Sequence, residues 1–477
     1  MKQKEREKRY VPYPVYLQIL KTNYKRKDDL YIIIDAIYRR QIYFKSDTQK
    51  YYGYVEIPRK YFRELIGNNN NVSKALDFLL DNKWIESNDF YRIGLQCKGY
   101  RLPSNFLGKR AVIEIEDDKI NDRLRNLRLA KRKKRAKNIE FQKSKYFKMF
   151  DIDLKPALQA TEAKAIEDLK ILANNNKIYI NEHELKQVVN STPEGLASRN
   201  KFVSKVPIDF HNILHRFMVQ QEIVSCIADG YLFFKRDKNT GRATTNLCSL
   251  PSYLRQYIKS DKTLMNIDIA NSQSYFLYTL LINEPTINKL ELEQYGKLAT
   301  KGLLYEYLSD NWNNNYNRRM TREQMKKVVC KIFYSKTESF KMYKEFFGSY
   351  FPTIMDYINA TNFQVHNTLA LELMNRESNI VLDTVLPDLN EIGIVPFTIH
   401  DSFLVHEDEV NTVKKTIKDI CINKYGVAPE LHETTLFESS EEDDQESWDE
   451  FLLSMESMEF EEVKETDWNE FFAITEL

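Results

Sequence analysis

Two aspartates that lie beside short apolar runs constrain the fold of this chain more than any other feature. Asp268 follows Leu264-Met-Asn-Ile, which predicts a strand, and precedes a polar turn and the helix-like run Tyr275–Leu281. Asp401 lies between two apolar runs, a pattern typical of a hairpin with a carboxylate at its tip. Carboxylates on adjacent strands can hold two Mg²⁺ ions about 3.5–4 Å apart. Taken singly, each aspartate is better interpreted as a turn residue, so a metal site needs support from other segments.

A predicted helix between the two aspartates gives that support. Arg322 and Lys326 are four residues apart, so they share one helical face, and Tyr334 falls eight residues further on, close to that face. Cations placed in this way can grip a triphosphate, with Lys326 near the leaving group as charge stabiliser or proton donor. The plainer interpretation is an ordinary basic amphipathic helix, and alone the segment is weak.

The charge of the chain is divided unequally along its length. The formal net charge is +1, yet residues 438–477 hold sixteen acidic residues and one basic residue, Lys464. The tail therefore carries −15 and residues 1–437 carry +16. A basic body with an acidic tail is typical of proteins that handle nucleic acid.

Several protein classes are disfavoured by the sequence. No apolar run approaches the length of a membrane span, and the first residues lack the apolar core of a secretory signal. His211 and His215 are four residues apart without a second ligand pair, so a helix-surface pair is favoured over a metal site. We expect a cytoplasmic protein without a membrane partner. A reducing compartment also suits the five scattered cysteines: Cys97, Cys226, Cys248, Cys330 and Cys421.

The first 107 residues have the pattern of a winged-helix domain. Helical periodicity predicts helices over Asp28–Phe44, Pro58–Ile66 and Lys74–Lys83, with a turn between the last two. Two short strands, before and after Ser87-Asn-Asp, would then form a hairpin. Such domains usually bind duplex DNA through their third helix. Use of the domain for protein contacts alone is the alternative.

Residues 108–149 form a predicted linker with a dense basic run. Positions 123–137 hold nine basic residues in fifteen and no glycine or proline, which is compatible with a helix. A run this dense usually contacts phosphates and makes binding salt-sensitive, although a solvated linker has the same composition. The predicted DNA-binding residues are Arg128, Lys131, Arg132, Lys133, Lys134 and Arg135.

Four segments together resemble the ordered motifs of the family A DNA polymerases and the related single-subunit phage and mitochondrial RNA polymerases. Thr240-Gly241-Arg242 is similar to the T-G-R segment, and Asp268 matches the first metal-binding aspartate. Arg322, Lys326 and Tyr334 match the R-x3-K-x7-Y spacing of the fingers helix, and His400-Asp401 matches the motif of the second metal-binding aspartate. The resemblance covers roughly residues 220–430, and its narrower match is to small polymerases and primases of mobile elements.

The resemblance implies an α+β right-hand polymerase with an antiparallel palm sheet and helical fingers and thumb. Residues 150–222 would be the thumb-like region, 223–430 the palm and fingers (fingers about 291–389), and 431–477 a disordered acidic tail. Asp268 and Asp401 would hold two Mg²⁺ ions, which Mn²⁺ can replace. The residues implied to contact the nucleotide, the template or the primer are Arg242, Thr240, Gln273, His400, Arg322, Lys326 and Tyr334.

Departures from the family pattern leave the choice of sugar open. Ser335 replaces the glycine that normally follows the tyrosine, so the turn there must be built differently. Gln273 stands where DNA polymerases commonly carry a glutamate that blocks a ribose 2′-hydroxyl. Cys330 stands where an aromatic residue is frequent. No segment has the spaced acidic residues of a 3′–5′ exonuclease, so we expect no proofreading.

Together these features predict a template-directed nucleotidyltransferase that primes or extends DNA for a plasmid, a phage or another mobile element. The first alternative is a single-subunit RNA polymerase. The second is a replication initiator or DNA-binding protein whose polymerase body is inactive. The expected partners are primer–template DNA, a duplex origin and nucleoside triphosphates. The acidic tail either occupies the basic channel, docks on a helicase or single-strand-binding protein, or is merely solvated.

Overall fold

The computed structural model describes residues 6–43, 53–88, 97–136, 150–232, 234–316, 319–365 and 367–436. The chain divides into two compact units. In the described part, the N-terminal unit comprises the residues up to Leu232 together with Tyr257–Lys259, and the C-terminal unit comprises the rest. No helix among the described residues is both long and apolar enough to cross a membrane.

The N-terminal unit is mainly helical and has two small antiparallel sheets. One sheet pairs Lys8–Pro12 with Arg110–Glu114, and in the other Gly99–Arg101 lies between Val55–Glu56 and Glu86–Ser87. Its helices are α1 Tyr13–Leu20, α2 Lys27–Tyr43, α3 Arg59–Ile66, α4 Asn69–Asp81, α5 Asp118–Ala136, α6 Leu154–Asn175, α7 Glu182–Asn190, α8 Pro193–Val203 and α9 Pro207–Ala228. Its strands are β1 Lys8–Pro12, β2 Val55–Glu56, β3 Glu86–Ser87, β4 Gly99–Arg101 and β5 Arg110–Glu114, with a 3₁₀ turn at Ser104–Phe106.

The three helices predicted for a winged helix are present, with one boundary corrected. Helix α4 begins at Asn69, inside the segment predicted as a turn, because the Asn68 side chain accepts a hydrogen bond from the Asn70 N–H and caps the helix. Gly67 ends α3 at φ 95°, a left-handed conformation that favours glycine. The second predicted strand begins in residues 89–96, which lie outside the described part, and β4 is the described partner of β3. Three helices with a small antiparallel sheet are compatible with a winged helix, which stays a prediction.

One hydrophobic core runs through the whole N-terminal unit, so residues 1–107 and 150–222 are not separate there. Ile37 and Leu79 belong to the same buried cluster as Leu169 and Phe217. The predicted boundary at residue 223 falls inside α9, which continues to Ala228 because Val224 and Ile227 on its last turns are buried. The helical pattern of residues 150–222 was therefore visible in the sequence, but the shared core was not.

The basic run forms the end of α5, and part of it is used inside the protein. Arg128 departs from its predicted DNA contact: its Nη2 lies 2.8 Å from Glu7 Oε1, and its Nη1 donates to the Asp229 carbonyl oxygen at 3.1 Å. Only 16% of the Arg128 side chain is exposed. The ion pair joins α5 to the residue that precedes β1. The side chains of Lys131, Arg132, Lys133, Lys134 and Arg135 lie outside the described part.

A buried ionic network joins β1, α2, β5 and α9. Glu222 is fully buried and receives Arg39 Nη1 at 2.6 Å and Arg110 Nη1 at 2.5 Å. Burial alone would raise the pKa of Glu222, but the two guanidinium groups lower it below its ordinary value. Next to this pair, the Tyr10 hydroxyl donates to Asp229 Oδ1 at 2.9 Å, and Arg39 Nη2 lies 3.7 Å from Oδ2.

Asp229 makes the stability of the N-terminal unit depend on pH. Burial raises its pKa from 3.8 to about 6, although Arg39 and the Tyr10 hydroxyl act in the opposite direction. Between about pH 4 and 6 the native state keeps a proton that the unfolded chain loses, so the free energy of unfolding falls as the pH rises through this window. We expect the free energy of unfolding of Asp229→Asn to fall less than that of the wild type between pH 4 and 6. Urea unfolding at pH 4–7 measures this difference. Equal pH dependence in the variant and the wild type would contradict the prediction.

The C-terminal unit combines one four-stranded sheet, a separate hairpin and a set of helices. Its strands are β6 Phe234–Arg236, β7 Ala243–Thr245, β8 Leu264–Ile269, β9 Phe397–Ile399, β10 Ser402–His406 and β11 Leu431–Thr435. Its helices are α10 Asn246–Ser249, α11 Ser252–Arg255, α12 Ser272–Leu281, α13 Lys289–Thr300, α14 Leu304–Asn315, α15 Arg322–Tyr334, α16 Lys341–Tyr350, α17 Pro352–Thr361, α18 Thr368–Ile380, α19 Leu386–Glu391 and α20 Val410–Tyr425. A π-helical turn, Val381–Val385, joins α18 to α19, and a 3₁₀ turn, Glu407–Glu409, precedes α20.

The four-stranded sheet has the order β11-β8-β10-β9, and all its pairs are antiparallel. Ile267, Ile269 and Phe403 on one face are buried in the core that the helices complete. The strand at Asp268 and the hairpin around Asp401 are therefore confirmed as neighbours. The predicted tail boundary at residue 431 is wrong, because β11 pairs with β8 along residues 431–435. Residues 437–477 lie outside the described part.

Candidate active site

The two aspartates lie at the same end of the central strand pair. Asp268 is directly opposite Ser402 in the β8–β10 register, and Asp401 is the residue before Ser402, in the turn from β9. Both side chains are half-buried, and neither belongs to the hydrophobic core of the sheet. The structure thus places Asp268 on β8 and Asp401 in the β9–β10 turn, at the same end of the β8–β10 pair.

His400 shapes the turn that presents Asp401. Its backbone is left-handed at φ 53°, which is uncommon outside glycine and is frequent where a site imposes its own geometry. Burial lowers the pKa of His400 to about 3, helped by the nearby positive charges of Arg242 and Arg255. The imidazole is therefore neutral, and its Nδ1 atom has no hydrogen-bond partner among the described residues.

The Thr240-Gly241-Arg242 segment forms the turn of the β6–β7 hairpin. Asp237 Oδ1 accepts hydrogen bonds from the Thr240 N–H at 2.7 Å and from the Thr240 hydroxyl at 2.9 Å, so Thr240 holds the turn. Gly241 has φ 68°, and a Cβ atom there would come within 3.0 Å of Asn375 Oδ1. Glycine is favoured here mainly because of this left-handed φ, and the approach to α18 adds a close contact.

Helix α18 supplies the partner of Arg242. Glu377 on α18 is fully buried and receives Arg242 Nε at 2.8 Å and Nη2 at 2.9 Å. Gln273 Nε2 donates to the same carboxylate at 2.6 Å. Burial alone would lower the pKa of Arg242, but Glu377 raises it, with smaller contributions from Tyr334 and Asp401. One carboxylate therefore joins the two residues predicted to contact the primer junction and the sugar.

The predicted phosphate-binding helix is present over the predicted residues. Helix α15 begins with a capping box in which the Thr321 side chain accepts from the Gln324 N–H and the Gln324 side chain accepts from the Thr321 N–H. Lys326 and Tyr334 are half-buried along this helix. The tyrosine is near enough to Arg242 to raise its pKa, so α15 and the hairpin face the same site.

Arg322 reaches the end of β8 through Asn271. Its Nη2 lies 3.4 Å from Asn271 Oδ1, while its Nε and Nη1 contact Glu306 at 2.6 Å and Glu323 at 3.1 Å. A guanidinium has five N–H donors, so these three contacts leave donors for a phosphate. Asn271 adopts φ 51° at the start of α12, and its side chain serves Arg322 instead of capping the helix.

The turn after Tyr334 is built without glycine. Ser335 has φ −102° and ψ 160°, an extended conformation open to any residue, so glycine is not required. The carbonyl oxygens that follow are satisfied by buried Lys344, whose Nζ donates to Lys336 O at 2.6 Å and Thr337 O at 3.4 Å. Burial lowers the pKa of this ammonium group. An extended Ser335 and the hydrogen bonds from Lys344 therefore replace the expected Tyr-Gly turn.

The donor set suits Mg²⁺ better than a metal held by protein alone. Among the described residues, no group of three or more His, Cys, Asp or Glu side chains is arranged to hold a metal ion. Mg²⁺ is commonly held by one or two carboxylates, with substrate phosphates and water completing its octahedral shell. Asp268 and Asp401 match that requirement. A ring nitrogen of His211 forms a hydrogen bond with the carbonyl oxygen of Pro207, and one of His215 does so with that of Ile42.

Four residues around the site were not identified from the sequence as functional: Glu377, Asn271, Glu306 and His432. Glu377 lies in a helix that looks amphipathic, and nothing in its spacing indicates a buried ion pair. His432 was assigned to the tail, yet it is directly opposite Asp268 in the β11–β8 register. The alternation of Leu431-His-Glu-Thr-Thr could have predicted a strand, although not its partner.

Comparisons with known proteins add little to this geometry. No protein-family model matches the chain, and no curated protein does. Among solved structures, the chain is similar to the POL domain of Pol1 from M. smegmatis, in a complex with DNA primer-template and dNTP. The identity is 15% and the TM-score 0.42, over 62% of this chain and 69% of the other. A TM-score this low carries no argument about fold or function.

Proposed function

We propose that the chain is a template-directed nucleotidyltransferase, a DNA polymerase or primase that replicates a plasmid, phage or other mobile element. The observation that carries the proposal is the position of Asp268 on β8 and of Asp401 in the adjoining β9–β10 turn, at the same end of the paired strands. Arg322 of helix α15 contacts Asn271, which follows the end of β8. Two carboxylates next to a phosphate-binding cation are the arrangement that phosphoryl transfer requires.

Different residues of the site have different roles in the proposed reaction. Asp268 and Asp401 would hold Mg²⁺, or Mn²⁺ in its place, which when bound activates the attacking 3′-hydroxyl and neutralises the leaving pyrophosphate. Arg322 and Lys326 bind the triphosphate, and the Lys326 ammonium gives a proton to the departing pyrophosphate oxygen. Arg242, held by Glu377, contacts the end of the primer–template duplex.

Gln273 and Tyr334 check the sugar of the nucleotide. Gln273 is held by its Nε2 on Glu377, while its Oε1 has no hydrogen-bond partner among the described residues. The carboxamide of Gln273 has nearly the volume of a glutamate side chain but no charge, and its Oε1 can accept a hydrogen bond from a ribose 2′-hydroxyl. We therefore propose that discrimination against ribonucleotides is weaker than with glutamate at this position, which suits a primase.

The N-terminal unit supplies DNA affinity in this proposal. The three helices α2, α3 and α4 with their small sheet are compatible with a duplex-binding domain, and the exposed start of α4 carries the amides of Asn69 and Asn70. Charge complementarity between a basic body and DNA supports the same role.

Nucleotide incorporation on a defined template tests the proposal. The full chain is supplied with Mg²⁺ and either dNTPs or rNTPs, on primed and unprimed single-stranded templates of two different sequences. We expect products whose order of nucleotides follows each template and which vanish with a chelator. Utilisation of rNTPs alone, over long transcripts, would identify the single-subunit RNA polymerase instead. No template-dependent product with either sugar, in Mg²⁺ or Mn²⁺, would overturn the proposal.

A further inference from the structure

His432 is adjacent to Asp268 in the sheet although the two residues are far apart in the sequence. In the β11–β8 pair His432 is directly opposite Asp268, and in the β8–β10 pair Ser402 is directly opposite Asp268. Directly opposed residues of antiparallel strands project from the same face, with Cβ atoms about 4.5–5.5 Å apart. A row of three side chains, His432, Asp268 and Ser402, therefore crosses three strands on one face.

This row lies on the face of the sheet that the candidate active site uses. The residues that alternate with the row, Ile267, Ile269 and Leu431, are buried in the core on the opposite face. The imidazole of His432 is exposed, and it forms no hydrogen bond or ion pair with any residue that the structure describes. It is an available donor beside a candidate metal-binding carboxylate.

Arg322, the predicted triphosphate-binding residue, also contacts the chain at the same end of β8. The Ala270 N–H donates to the Glu430 carbonyl oxygen at 3.0 Å, so the start of β11 follows β8 to its end. One residue later, Asn271 accepts the contact from Arg322. His432 is therefore opposite a residue that lies three positions before Asn271, the residue that contacts Arg322.

We propose that His432 is a phosphate-binding residue, whose imidazole N–H donates to a non-bridging oxygen of the incoming triphosphate and then of the released pyrophosphate. This inference rests on the proposed function, because it places the triphosphate beside Asp268. A role as a third metal ligand is less well supported, since the described residues hold no three-residue group arranged for a metal.

Three variants of the full chain test the role of His432. His432→Ala removes the donor, His432→Gln keeps an N–H donor, and Thr434→Ala is the control on the same strand and the same face. We expect His432→Ala to raise the KM for nucleotide and the inhibition constant of pyrophosphate about tenfold, with kcat changed less than threefold. His432→Gln recovers part of the loss, and Thr434→Ala matches the wild type.

A binding measurement separates this inference from the proposed function. Inorganic tripolyphosphate with Ca²⁺ is titrated into the wild type and His432→Ala by calorimetry, without DNA or turnover. Tighter binding by the wild type supports the inference even if no nucleotide is incorporated, in which case only the proposed function fails. Equal binding by both proteins, or no binding by the wild type, overturns the inference. The proposed function is then still tested separately by the incorporation assay.

Discussion

Asp268→Asn and Asp401→Asn are each expected to lower nucleotide incorporation by about 10³-fold or more, a loss of at least ~4 kcal/mol of transition-state stabilisation. Asparagine keeps the volume of aspartate and removes the negative charge that a Mg²⁺ ion needs. Both side chains are half-buried outside the hydrophobic core, so the substitutions leave the sheet intact. Steady-state incorporation on a primed template, with saturating Mg²⁺, measures the effect.

Asp408→Asn is the matched control for these variants. Asp408 follows the same hairpin strand, is exposed, and pairs with Lys262 at 2.6 Å, away from the site. We expect its activity to lie within twofold of the wild type, and all three variants to keep the wild-type circular dichroism and melting temperature. Incorporation by Asp268→Asn or Asp401→Asn at the level of Asp408→Asn would refute the assignment of the metal-binding pair.

Glu377→Gln is expected to give the largest loss of stability of any single polar substitution near the site. The substitution leaves the Arg242 guanidinium opposite an amide that cannot neutralise it. It also leaves one acceptor oxygen where two now accept the hydrogen bonds of Arg242 and Gln273. Breaking a buried ion pair by removing one partner costs about 3–5 kcal/mol. We expect the lower end, about 3 kcal/mol, because 19% of the Arg242 side chain is exposed.

Native-state hydrogen exchange in increasing urea measures this loss in the amides of α18. Glu372→Gln, on the same helix, is the control: its exposed carboxylate lies 3.9 Å from Arg376 Nε, and we expect a change below about 0.5 kcal/mol. Combining Glu377→Gln with Arg242→Gln should recover part of the stability, since both charges are then absent. A Glu377→Gln variant as stable as Glu372→Gln would show that the pair does not hold the hairpin on α18.

The elements that carry the site were predictable because their signals are local. The alternation around Asp268, the hairpin around Asp401 and the helical spacing of Arg322, Lys326 and Tyr334 each lie within one segment. Glu377 and His432 were not predictable in their roles. The partner of Glu377 is 135 positions away, and His432 depends on a strand register that no local pattern specifies.

Charge density was a weaker guide than spacing. Arg128 belongs to a run that predicts phosphate binding, yet it forms an ion pair with Glu7 of the N-terminal segment. A count of basic residues treats Arg128 as free to bind phosphate, whereas in the fold its charge is already paired with Glu7. Helix α9 and strand β11 likewise extend past the predicted boundaries at residues 223 and 431, because burial and strand pairing, not composition, decide where these elements end.

The buried carboxylate of Glu377 has an evolutionary consequence. Arg242, Gln273 and Glu377 lie in three different elements and share one set of hydrogen bonds, so a change at one of them is selected together with changes at the others. Homologous chains should therefore exchange these three residues as a group. A neutral residue at position 377 is expected to accompany a neutral residue at position 242, even where the aspartate pair is unchanged.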